Sequence, residues 1–220
     1  MKLIIVSGPW SSGTTAVAGT LHHLGFTGFG PYLQIRDERA PVSYEFMPFR
    51  DLVLKLASED SLKLTVANAD PINRALVGFR QQVLEQAFGP FDEETSPPVF
   101  LKLPLSALLL NWLADHFELR QLLVARPLND IEKTRIRRNW MPQFGATGAQ
   151  VLYSHIFSAT IEKGIPTQIV HYRELLKSPE PIIRSMAEFC GHTPSEDKIL
   201  EATRFITDSA ASRAAKSASA

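Results

Sequence analysis

The sequence predicts an α/β fold in three layers, a mainly parallel sheet flanked by helices. Two observations predict it. Short apolar runs rich in β-branched residues alternate with segments whose apolar residues recur every three or four positions. Each such run ends in turn-forming or charged residues, and the carboxyl ends of parallel strands are where such sheets bind ligands. Composition agrees: of 220 residues, 45% are hydrophobic and 21% charged, which builds a core rather than a disordered chain. A single domain is expected over residues 1–208. The small-residue polar tail SAASRAAKSASA, 209–220, is expected to fray.

The elements follow in order. Lys2–Val6 reads as a buried strand running into Ser7, Gly8 and Pro9. Thr14–Leu24 reads as a helix, with Val17, Leu21 and Leu24 on one face, and Gly25, Gly28, Gly30 and Pro31 open an irregular stretch. Helices are expected over Phe49–Ala57 and Asn73–Phe88, the second stopped by Gly89 and Pro90. After the surface loop DEETSPP, Val99–Leu103 is a strand, Leu108–Phe117 a helix and Gln121–Ala125 a strand bounded by Arg126 and Pro127. A basic helix over Asp130–Asn139 and another over Val151–Lys163 precede the strand Thr167–His171. Helices over Glu180–Cys190 and Ser195–Phe205 close the domain.

Several function classes are excluded at this level. Basic and acidic residues number 23 each, so the long-range pull of a protein that coats nucleic acid is absent. The one cysteine, Cys190, cannot form an internal disulfide or a cysteine-based metal cluster, and its apolar surroundings AEFCG suit a buried thiol. No His/Cys/Asp spacing suggests a metal site. No apolar run approaches the roughly 20 residues of a membrane span. The apolar N-terminal stretch is too short for a signal sequence, so a cytoplasmic protein is expected.

The first strand ends in Gly8-Pro-Trp-Ser-Ser-Gly13-Thr14-Thr15, followed by a helix. This is the spacing of the phosphate loop G-x-x-x-x-G-K-S/T, with Thr14 in the place of lysine. The fold expected is therefore P-loop NTPase-like. A glycine-bearing strand-to-helix turn aims backbone N–H groups at one spot, the helix dipole adds partial positive charge, and Ser11, Ser12, Thr14 and Thr15 add hydroxyls. The plainer alternative is a helix capped by one of these Ser or Thr side chains.

The neighbouring strand ends carry cations. VFLK ends in Lys102 and LLVAR in Arg126, where a triphosphate-hydrolysing enzyme of this fold places an Asp for magnesium. Arg126 opens RPLNDIEKTRIRR, in which Thr134 lies eight residues on and Arg137 and Arg138 follow. A strand-end guanidinium and a helix hydroxyl can grip one phosphate together. The alternative for this segment is a basic helix face turned to water.

With these residues in place the chain resembles the sulfotransferases, of bacterial type, that use PAPS (3′-phosphoadenosine 5′-phosphosulfate). That family's 5′-phosphosulfate loop reads Lys/Arg-Ser-Gly-Thr-Thr, and Ser12-Gly13-Thr14-Thr15 matches its last four positions. Its 3′-phosphate motif is matched in order by Arg126, Pro127, Asp130 and Thr134. VFLKLP resembles the family's Lys-x-Pro strand end, and IVHYRELLKSPEPIIRSMAEFCG its Tyr-Glu-Asp-Leu strand and helix. The resemblance runs from the first strand to about Phe205. It implies transfer of a sulfonate from PAPS to a hydroxyl or amine of a small molecule or carbohydrate, without a metal. The donor would be held by Ser11, Ser12, Gly13, Thr14, Thr15, Arg126, Thr134 and Arg138. One departure stands out: Ser11 occupies the position of the usual basic residue, and Lys102 is expected to supply the missing charge.

Sulfonate transfer also needs a base. Glu45, in the apolar segment VSYEFMPF about 30 residues beyond the loop, is the first choice, and an ordinary acid at a helix N-terminus is the alternative. Asp37 and Glu38 are expected in solvent. Among the histidines, His22, His23, His116 and His192 read as structural, while His171 near a strand end is the second candidate for the base. Trp10 and Trp140 can stack on a ring or simply pack. Two other functions remain open: a P-loop phosphotransferase or nucleotide kinase, and a non-catalytic nucleotide-binding relative. The acceptor pocket is expected from residues 25–48, 60–98 and 141–150. The zero net charge is a cancellation, with six bases and two acids over Arg120–Arg138 against four acids and no base over residues 85–96.

Overall fold

The computed structural model describes residues 2–34, 42–84 and 98–218. Its centre is a four-stranded parallel sheet of β1 (Lys2–Ser7), β6 (Val99–Lys102), β7 (Glu118–Ala125) and β8 (Thr167–His171), in the order β6-β1-β7-β8. Period-two alternation divides the strand residues between two cores. Leu3, Ile5, Leu101 and Leu123 face one layer, formed by α2 (Met47–Leu56), α3 (Ala69–Gly78), α4 (Leu110–His116) and α6 (Ala146–Lys163). Ile4, Val6, Leu122 and Val124 face the other, formed by α1 (Thr14–His23), α7 (Tyr172–Lys177), α8 (Pro179–Phe189) and α9 (Glu196–Ala218). The three-layer α/β fold expected from the sequence is the one observed.

The sheet order fixes where a ligand can bind. From β1 the chain passes to β6 on one side and then crosses to β7 on the other, so the order reverses beside β1. In a parallel sheet the strands on either side of such a reversal open a crevice at their carboxyl ends. The segments entering that crevice are the loop after β1, Lys102 at the end of β6 and Arg126 just beyond β7. Pairing of Val6 with Lys102 brings the end of β6 alongside the start of the loop.

Several elements differ from expectation. The stretch after α1 contains two short antiparallel strands, β2 (Tyr32–Gln34) and β3 (Val42–Phe46), so Glu45 lies in a strand and not at a helix N-terminus. A second small pair, β4 (Ala57–Ser58) and β5 (Lys63–Leu64), follows α2. The helix expected from Asn73 starts at Ala69, because the Asn68 side chain accepts a hydrogen bond from the Asp70 amide and caps it. It gives way to a π-helical turn over Phe79–Leu84. A final helix was expected to stop at Phe205, yet α9 continues to Ala218, in keeping with the high helix propensity of its alanines. Asp37, Glu38 and the acidic run 85–96 lie outside the described residues. Among the described residues no helix is long and apolar enough to cross a membrane.

Candidate functional site

The loop between β1 and α1 is built to leave donors uncommitted. Gly13 is the N-cap residue of α1, at φ 107°, and no side chain caps the helix. The Ala16 amide donates to the Gly13 carbonyl oxygen at 2.9 Å, while the Thr14 and Thr15 amides ahead of it have no side-chain cap. Ser or Thr capping, the plainer reading of this segment, does not occur. The hydroxyls of Ser11 and Ser12 are buried and have no hydrogen-bond partner among the described residues. Ser11 itself sits at φ 64°, a strained conformation for a residue with a side chain.

Gly13 is required here for two reasons. Its backbone angle is one that L side chains rarely adopt, and a Cβ would fall 2.2 Å from the Tyr172 ring. Tyr172, at the start of α7, thus closes the back of the loop. The same ring lies under the Arg126 guanidinium, whose central carbon is 5.0 Å from the ring centroid.

Arg126 crosses the crevice. Its Nη1 donates to the Ser11 carbonyl oxygen at 2.7 Å, joining the end of β7 to the loop after β1. Its own backbone amide donates to the Tyr153 hydroxyl, which in turn donates to the Val124 carbonyl oxygen. Burial pulls the Arg126 guanidinium below its usual pKa. Asp130 opposes that shift, while the charges of Arg138 and Arg173 add to it, so three guanidiniums feel one another at this corner. Asp130 is held by Arg173 at 2.7 Å. Thr134, in α5 (Leu128–Arg137), donates its hydroxyl to the Asp130 carbonyl oxygen at 2.9 Å.

The basic segment is less concentrated than its sequence implies. The Arg120 guanidinium donates to the Phe189 carbonyl oxygen, and Arg135 pairs with Glu132 on its own helix. Glu132 also accepts from the Ala146 amide at the start of α6. These contacts secure the turn that carries Trp140.

A cavity of about 180 Å3 opens beside the loop. Six of the residues expected at the site line it: Ser11, Thr14, Thr15, Glu45, Lys102 and Arg138. Ser12, Gly13, Arg126 and Thr134 are not in its wall. Lys102 and Glu45 form a buried ion pair, Nζ to Oε1 at 2.6 Å, with side-chain exposures of only 4% and 9%. Tyr44, beside Glu45, sits at φ 57° where the β2–β3 pairing shifts register. That irregularity sends Tyr44 into the core while Glu45 lines the cavity. Ser43 fixes the turn by donating to the Leu33 carbonyl and accepting from the Glu45 amide.

Trp10 and Trp140, each open to a packing or stacking role, both line the cavity, with Phe144 between them at 4.8 and 5.9 Å between ring centroids. Arg138 lies over the Trp140 ring at 4.5 Å. His171 is exposed at the end of β8 and is not part of the cavity wall, which leaves Glu45 as the better placed of the two candidate bases. Sequence reasoning missed Arg50 and Glu59. They form an ion pair at 3.3 Å and both line the cavity. No periodicity or motif marks them, because the contact depends on how α2 folds back against the β4–β5 turn. Among the described residues no group of three His, Cys, Asp or Glu side chains could hold a metal.

No family model matches this sequence, and no curated protein matches it. Solved structures do resemble it. A sulfotransferase from Mycobacterium tuberculosis superposes with a TM-score of 0.63 at 14% identity, covering 92% of this chain and 70% of that one. One from Mycobacterium avium gives 0.58 at 14% identity, over 93% and 67%. The sulfotransferase domain of a Synechococcus olefin synthase gives 0.50 at 14% identity, over 94% and 80%. The chain has the sulfotransferase fold.

Proposed function

We propose that this protein is a PAPS-dependent sulfotransferase acting on a hydroxyl-bearing small molecule or carbohydrate. The observation that carries the reading is one cavity into which the phosphate loop, Lys102, Glu45 and Arg138 all open. The residues suit the donor. Unpartnered Ser11 and Ser12 hydroxyls and uncapped first-turn amides match a compact anion, and Arg126, Arg138 and Thr134 suit a second phosphate. When bound, PAPS supplies an activated sulfonate and leaves as adenosine 3′,5′-bisphosphate.

The chain's own residues perform the rest. Glu45 takes the proton of the acceptor hydroxyl, so that its oxygen can form the new bond to sulfur. Lys102 neutralises Glu45 beforehand. As the carboxylate gains a proton its hold on the ammonium weakens, and Lys102 can turn its charge towards the negative charge growing on the leaving phosphate oxygen. That arrangement gives Lys102 the part left open by Ser11. Water is kept from the pair by its burial.

The test is transfer of labelled sulfonate from PAPS to a panel of alcohols, sugars, phenols and amines in the presence of a metal chelator. Turnover without metal is expected, falling at least about 100-fold in Glu45→Gln. Full adenosine 3′,5′-bisphosphate binding with no transfer to any acceptor would favour a non-catalytic relative. Magnesium-dependent ATP turnover would favour a phosphotransferase.

A further inference from the structure

The cavity has a second polar wall that the transfer chemistry does not use. Arg50 from α2 and Glu59 from the β4–β5 turn meet there, Nη2 lying 3.3 and 3.4 Å from the two carboxylate oxygens. Both side chains are about three-quarters buried, and the Arg50 Nε is buried with no hydrogen-bond partner among the described residues. A buried donor left unsatisfied is costly, so whatever fills the cavity is favoured if it supplies an acceptor atom. Trp10 and Phe144 provide a hydrophobic edge to the same cavity, packed edge to face.

The charges in the wall narrow the ligand. Arg50, Lys102 and Arg138 stand against Glu45 and Glu59, leaving one positive charge in the wall. Arg50 and Glu59 neutralise each other. A cationic amine would have to displace Arg50 from Glu59, and an anionic acceptor would meet Glu59 and Glu45. A neutral phenol or hydrocarbon alcohol would leave the unpartnered Nε and the remaining carboxylate lone pairs unsatisfied. A ligand with several adjacent hydroxyls does not, because each hydroxyl both donates to a carboxylate and accepts from a guanidinium.

We infer that Arg50 and Glu59 form the acceptor-binding fork of the cavity, and that the acceptor is a neutral polyhydroxylated molecule of the sugar class, with its C–H face on Trp10 and Phe144. The inference rests on the sulfotransferase reading and specifies its substrate class. Burial holds the Glu59 carboxyl above its ordinary pKa; Arg50 opposes the shift, and Glu45 and Asp60 add to it. A carboxylate in that condition gains from new hydroxyl donors.

The experiment measures sulfonate transfer from PAPS to methyl α-glucoside, methyl α-mannoside, methyl β-galactoside, 4-nitrophenol, 1-octanol and phenethylamine. Adenosine 3′,5′-bisphosphate affinity is measured in parallel by calorimetry. At least one glycoside is expected to be the preferred acceptor. Glu59→Gln and Arg50→Lys are each expected to raise its KM at least tenfold, with kcat reduced no more than threefold and bisphosphate affinity unchanged. Preference for the phenol, octanol or the amine would overturn the inference, as would a glycoside KM that neither variant moves. Those outcomes leave the donor reading standing, whereas loss of bisphosphate binding in the unaltered protein defeats both.

Discussion

Lys102 Nζ lies 2.6 Å from Glu45 Oε1, and the two side chains are almost completely removed from solvent. The residues are 57 positions apart in the sequence, one at the end of a central strand and the other in a short edge hairpin. A pair this deep is held by its own attraction against the cost of dehydrating both ions, so neither member tolerates loss of the other.

Removing one partner should therefore destabilise the fold more than removing both. Glu45→Leu and Lys102→Met are each expected to lower the unfolding free energy by about 3–5 kcal/mol, and the double variant by markedly less than their sum. Urea denaturation of the four proteins measures this. Additive losses would show that the two charges are not energetically coupled.

Gly13→Ala tests the loop separately from the charges. The left-handed backbone alone costs a residue with a side chain about 1–2 kcal/mol. The new methyl would also push the Tyr172 ring, on which Arg126 rests. Affinity for adenosine 3′,5′-bisphosphate is expected to fall at least tenfold. An unchanged affinity would mean that the loop is not the anion site.

Cys190 is buried at the C-terminus of α8, and burial pushes its thiol up to about 12 despite the opposing charge of Arg120. At pH 8 almost none of it is thiolate, and reactivity follows the thiolate. Ellman's reagent should find no thiol in the native protein and one after denaturation. Rapid modification of the native protein would place Cys190 in a more open setting than the structure gives it.

What could be read from the sequence follows the range of the interactions involved. The burial of Leu3, Ile4, Ile5 and Val6 follows from one short run of apolar, largely β-branched residues, and the loop from Gly8 to Thr15 is one contiguous segment. Both were legible. Strands β2 and β3 were not, because the local signals around Gly28, Gly30 and Pro31 favour irregular chain and the pairing comes from tertiary contact. Lys102 and Glu45 could each be named, yet their direct bond could not, since nothing local joins a sheet strand to that hairpin. Arg50 and Glu59 carried no signal at all, as each looks like an ordinary surface charge on α2 or a turn.

The placement of Arg126 against the loop supports the central claim, that this crevice holds the two ends of a bisphosphate nucleotide without a metal. The direct measurement is calorimetric titration of adenosine 3′,5′-bisphosphate in the presence of a chelator. Binding at micromolar affinity or better is predicted, weakened about 100-fold in Arg126→Ala, equivalent to about 2.7 kcal/mol. Absence of binding without magnesium, or binding that Arg126→Ala leaves unchanged, would contradict it.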